Sequence, residues 1–135
     1  MDIITWKDSF SVGVGEMDIQ HKKLLGMINR LIEEQKVLTD PKTIADLLTE
    51  MTDYAEEHFR AEEYLMAEYG YEQKTAHEKK HRTFIDTTVS FYSATDIGPN
   101  ILSSALLEYL SGWLVDHILG EDMKYREFFQ GKGLS

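Results

Sequence analysis

The chain contains five histidines, His21, His58, His77, His81 and His117, and every one falls on an apolar stripe of a helical pattern. A lone histidine in such a place is ordinarily a core side chain bonded to a carbonyl. Five together shift the balance. Burial disfavours the charged ring, so five unrelated histidines need five hydrogen-bonding arrangements, whereas a metal centre takes them all as neutral donors. Spacing supports this reading. "HEKKH" sets His77 and His81 at i and i+4, side by side on one helix face. The same five letters fit the zinc-protease pattern with Glu78 as base, but that chemistry keeps an open ion in a cleft, and inward-facing histidines on a short bundle leave little room for one. "HFRAE" gives a second i, i+4 pair, His58 and Glu62, which reads either as a solvated hydrogen-bonded pair or as two ligands. Glu62 shares its stripe with Met51 and Leu65, where an unpaired carboxylate is costly and a cation relieves the cost. "DHILGED" holds His117 and Asp122 five positions apart, about 140° on an ideal helix. If both serve one site, the helix is expected to break between them, at Gly120.

With His21 added, the inventory is five imidazoles and two carboxylates, too many donors for one ion. Two ions bridged by Glu62 and Asp122, with imidazoles in the terminal positions, use them all. Imidazole and carboxylate suit first-row metals, iron or manganese first. Di-iron oxidases and ferroxidases typically use two Glu-x-x-His motifs plus further glutamates. Imidazoles predominate here, which favours the diferrous state and reversible oxygen chemistry over O–O cleavage.

Four helices must position these groups. Residues 1 to about 17 read as an irregular arm, with Gly13 and Gly15 and no helical period. Asp18 is the expected N-cap of a first helix carrying His21, Leu24, Leu25, Ile28, Leu31 and Ile32. After "TDPK" a second runs through Ile44, Leu47, Leu48, Met51, Tyr54, His58, Glu62 and Leu65 and ends near Gly70. The third holds His77, His81, Phe84, Ile85, Thr88 and Tyr92 and decays into "SATDIGPN". The fourth carries Leu102, Leu106, Tyr109, Leu110, Trp113, Leu114 and His117. A tail from Met123 has room for one or two further helical turns. Short connections favour antiparallel neighbours, so the predicted fold is all-α, an up-down-up-down four-helix bundle with an irregular N-terminal arm.

At 135 residues the chain reads as a single domain, 1–135, able to bury a core unaided. It has no cysteine, which excludes disulfides, thiolate metal sites and cysteine nucleophiles. A net charge of −10 argues against nucleic acid and anionic membrane surfaces. Nothing resembles a leader peptide or a bilayer-spanning run, so a soluble, cytoplasmic protein is expected, with no membrane insertion.

Taken as a spaced set, Trp6, "GVGEMDIQH", "HFRAEE", "HEKKH" and "WLVDHILGED" make the chain closely resemble the hemerythrin family, in particular its bacterial members, the bacteriohemerythrins. The resemblance implies a non-heme di-iron centre with an oxo or hydroxo bridge, His77, His81 and His117 on one iron and His21 and His58 on the other. Glu62 and Asp122 would bridge the pair. Dioxygen would be the ligand, taken up at the iron with two imidazoles. Family pocket positions correspond to Leu24, Phe59, Trp113, Leu114 and Ile118, residues that equally suit plain core packing, and Tyr125 corresponds to a tyrosine behind the aspartate bridge. The expected function is reversible dioxygen binding for transport, storage or delivery rather than catalysis. Sensing through a partner protein, or an oxidase, peroxidase or nitric oxide reductase activity, are the alternatives, and a protein partner stays open.

Overall fold

The computed structural model describes residues 3–37, 41–94 and 104–135. Four long helices, α1 (Gly15–Lys36), α2 (Pro41–Tyr69), α3 (Lys74–Ala94) and α4 (Ser104–Asp116), form the expected all-α four-helix bundle. Contacts run α1 to α2, α2 to α3, α3 to α4 and α4 back to α1, so each helix packs on two neighbours around one core. A π-helical turn (His117–Asp122) follows α4 and leads into a short helix, α5 (Lys124–Gly131), in the tail. Thr39 and Asp40 of the first expected turn, and residues 95–103 with Gly98, Pro99 and Leu102, lie outside the described residues.

Periodicity accounts for the packing. α1 buries Met17, His21, Leu24, Leu25, Ile28, Leu31 and Ile32, the stripe read from the sequence plus one turn before it. α2 ends where Gly70 adopts a positive φ of 74°, and the Tyr71 N–H bonds the Met66 carbonyl at 2.8 Å, a six-residue closure that leaves Tyr71 buried. Among the described residues no helix is long and apolar enough to cross a membrane.

Two local expectations need correction. α1 begins at Gly15, three residues before Asp18, and Val14 in the cap position makes no side-chain capping bond. Asp18 faces back to the arm instead, accepting from the Val12 N–H at 2.9 Å and the Ser11 hydroxyl at 2.6 Å. The arm is accordingly less irregular than its glycines suggest. It holds a 3-10 turn (Asp8–Phe10), pairs Ile4 with Asn29 through two bonds of 2.7 Å, and buries Val12 and Val14.

The second correction concerns Gly120. The helix does not break there, for the chain stays helical from His117 to Asp122 and Gly120 has no positive φ. The backbone widens, and the Met123 N–H reaches the Ile118 carbonyl, five residues back, at 3.0 Å. An i→i+5 repeat turns each residue through a smaller angle than an α-helix does, so side chains five apart come onto one face. That replaces the roughly 140° separation of an ideal α-helix and lets His117 and Asp122 meet without a loop.

Candidate metal centre

All seven expected donors are buried, none more than 4% exposed, and they meet inside the bundle. α1 contributes His21, α2 His58 and Glu62, α3 His77 and His81, and the π-helical turn His117 and Asp122. They form two overlapping groups in which one ligand atom per residue lies within 4.8 Å of all the others: Glu62, His77, His81, His117 and Asp122, and His21, His58, Glu62 and Asp122. Both carboxylates belong to both groups.

Asp122 divides its oxygens between the groups, whereas Glu62 reaches both groups through Oε1. Asp122 points Oδ1 at His77 Nε2 (2.8 Å) and His117 Nε2 (3.0 Å), and Oδ2 at His21 Nε2 (3.1 Å). Glu62 Oε1 lies 3.3 Å from both His58 Nε2 and His81 Nε2, while Oε2 faces His21 Nε2, also at 3.3 Å. The Glu62 Oε2 contact with His21 is a hydrogen bond, but the others are contacts of charge and lone pair, because Glu62 Oε1 and both Asp122 oxygens are buried without a hydrogen-bond partner. His117 Nε2 also stands 3.0 Å from His81 Nε2 and 3.2 Å from His77 Nε2. One ring nitrogen carries at most one proton, so it cannot satisfy two neighbouring nitrogens and a carboxylate together. A cation can accept all of these lone pairs at once, and the donor set therefore fits non-heme metal.

Electrostatics of the metal-free cluster follow from the same contacts. Burial opposes charge on His21, but Asp122 and Glu62 outweigh it and lift the ring to about 10. His77 is pushed down by burial and raised by the same carboxylates, ending at about 9. Burial would raise Glu62; the imidazoles of His58, His21 and His77 gathered around it hold it well below the usual carboxylate range.

Two polar residues that hold rings of the cluster were not legible as such. Gln20 Oε1 lies 2.6 Å from His58 Nδ1, and Glu63 Oε2 lies 2.8 Å from His81 Nδ1. Each stands beside a donor in the sequence yet serves a different one across a helix interface. Tyr125, expected behind the aspartate, is fully buried and its hydroxyl donates to Glu62 Oε2 at 2.6 Å.

The five apolar pocket candidates divide. Leu24, Phe59, Leu114 and Ile118 lie in the buried core. Phe59 stacks on His81 (centroids 3.9 Å apart, planes 9° apart), and half-buried Trp113 stacks on His117 (4.3 Å, 11°) and on Phe84 (4.2 Å). Both aromatic rings thus lie against the three-imidazole group.

Comparison with known proteins places this geometry. The family model described as the hemerythrin HHE cation binding domain matches residues 12–128, a span that contains all seven donors. Bacteriohemerythrin of Stenotrophomonas maltophilia is 32% identical over 127 residues, 94% of this chain and 82% of that protein. The hemerythrin-like protein of Naegleria gruberi is 34% identical over 121 residues, 90% of this chain and 89% of that one. A crystal structure of wild-type hemerythrin matches with a TM-score of 0.82 at 27% identity, covering 93% of this chain and 97% of the other. Family model, relatives and fold agree over the span that holds the donor cluster: the chain belongs to the hemerythrin family.

Proposed function

We propose that this chain binds dioxygen reversibly at a di-iron centre, for transport, storage or delivery, with His77, His81 and His117 holding one iron and His21 and His58 the other. Glu62 and Asp122 serve both ions. The observation that carries this reading is the sharing of these two carboxylates by both donor groups. When bound, two ferrous ions supply the electrons that reversible dioxygen uptake requires. The chain's own residues do the rest. Glu62 and Asp122 hold the ions as a pair, and Tyr125 fixes Glu62 through one oxygen. Phe59 and Trp113 lock two imidazoles by stacking. Buried Leu24, Leu114 and Ile118 keep water from the centre. Five imidazoles against two carboxylates favour carriage over oxidative turnover.

Anaerobic, iron-loaded, reduced protein mixed with dioxygen in a stopped-flow cell should give a long-lived visible band that vacuum reverses. Continuous oxygen consumption in the presence of a reductant, with no such band, would replace the carrier by an oxidase.

A further inference from the structure

Two imidazoles of the cluster have their outer nitrogens held by side chains that differ in charge. His58 Nδ1 meets the neutral amide oxygen of Gln20 at 2.6 Å, and His81 Nδ1 meets the carboxylate of Glu63 at 2.8 Å. Both acceptors fix the ring with its proton on Nδ1 and its Nε2 lone pair turned to the centre. A carboxylate does more than an amide, because its charge raises the electron density of the ring it holds and so its strength as a donor. The charge sits on the half that already has more donors: His81 belongs to the five-residue group, His58 to the four-residue group.

Glu63 is well placed for this. It lines a surface cleft with Glu56, Phe59, Arg60, Glu78, His81 and Arg82, and its side chain is 26% exposed. In that cleft Arg60 pairs with Glu56 at 3.6 Å, and Glu78 pairs with Lys74 at 2.6 Å. The Glu63 carboxylate turns to His81, whose face is held by Phe59. We propose that Glu63 is a positioning residue that makes the His77–His81–His117 half the tighter metal site, so that the centre fills in a fixed order with this half first. This inference rests on the two-ion reading above.

Anaerobic titration of the full metal-free chain with Co²⁺ tests it, followed by calorimetry and by proton NMR of the hyperfine-shifted imidazole N–H signals. The wild type should bind in two steps, with three ring N–H signals at the first equivalent and two more at the second. Glu63→Gln keeps the hydrogen bond and removes the charge, and should weaken the first step by about 10–100-fold while leaving the second unchanged. Gln20→Glu should tighten the second step, and Glu78→Gln, in the same cleft, should alter neither. If Glu63→Gln does not fold, Gln20→Glu decides alone, and an unchanged second step overturns the proposal. It is also overturned if Glu63→Gln leaves the first step intact, weakens both steps equally, or if all five signals rise together. Binding of a single Co²⁺ by the wild type would remove the two-ion reading itself, an outcome distinct from two steps that ignore Glu63.

Discussion

Tyr125 joins the tail to the centre through one bond, from a hydroxyl with no exposure to Glu62 Oε2. Tyr125→Phe preserves the ring packing on Tyr71 and Phe129 but leaves that carboxylate oxygen one donor short. A hydrogen bond to a charged group contributes about 1.5–3 kcal/mol, so urea denaturation of the metal-free protein should show a loss of that size. Leu24 acts by bulk. It is 1% exposed, and Leu24→Ala should cost about 2–5 kcal/mol, retain the iron and speed autoxidation of the oxygenated protein. Leu48→Ala, at a site 2% exposed, is the control for packing loss alone. Decay of the visible band in air separates them, and equal decay for Leu24→Ala and wild type would make Leu24 an ordinary core residue. The donors were legible because histidine and carboxylate are costly on apolar stripes, so their mere placement is informative. Gln20 and Glu63 are polar residues in polar surroundings; only the approach of one helix to another, 38 and 18 positions away in the chain, reveals what they hold.

At the level of elements, the helices were readable from period alone, and their exact winding was not. A glycine between His117 and Asp122 suggests a break, yet the chain solves the same problem by widening the helix. The difference can be measured. At a left-handed break a side chain would be strained, but Gly120 has no positive φ and an added Cβ meets nothing within 4 Å. Gly120→Ala should therefore stabilise the protein by about 0.4–1 kcal/mol in thermal or urea denaturation, with metal content unchanged. A marked destabilisation would restore the break. Asp18 shows the same limit from the other side. An acidic residue before an apolar period looks like a cap, whereas the arm had donors of its own to satisfy, and these are set by how the arm folds back. The arm and α5 are in turn tied together, Arg126 donating to the Ser11 carbonyl at 3.1 Å.

For the whole molecule the pattern of four stripes sufficed to give the bundle, since short connections leave few ways to bury them. The protons held in its interior follow from the contacts. In metal-free protein His21 and His77 rise to about 10 and 9 from an ordinary 6.5, so their stabilising contribution is full below about pH 6.5 and is lost as pH rises through 9 and 10. Glu62, held below its ordinary 4.5, contributes above that value and loses its contribution as pH falls further. Metal-free protein should thus be most stable near pH 5–6.5 and melt progressively earlier in alkali, as thermal denaturation across pH will show. Metal takes the place of the imidazole protons, so loading at pH 7 should release protons, read by calorimetry in two buffers of different ionisation heat; zero release would contradict the raised imidazoles. The stacking of Trp113 on His117 has an optical consequence. The chain has two tryptophans, and the other, Trp6, sits on the arm beside Phe10 and Lys22. A transition ion held by His117 would lie beside the stacked Trp113 ring and quench its emission. A Trp6→Phe variant isolates Trp113, and if the His77–His81–His117 half fills first as proposed, its fluorescence should dim mainly with the first equivalent of metal.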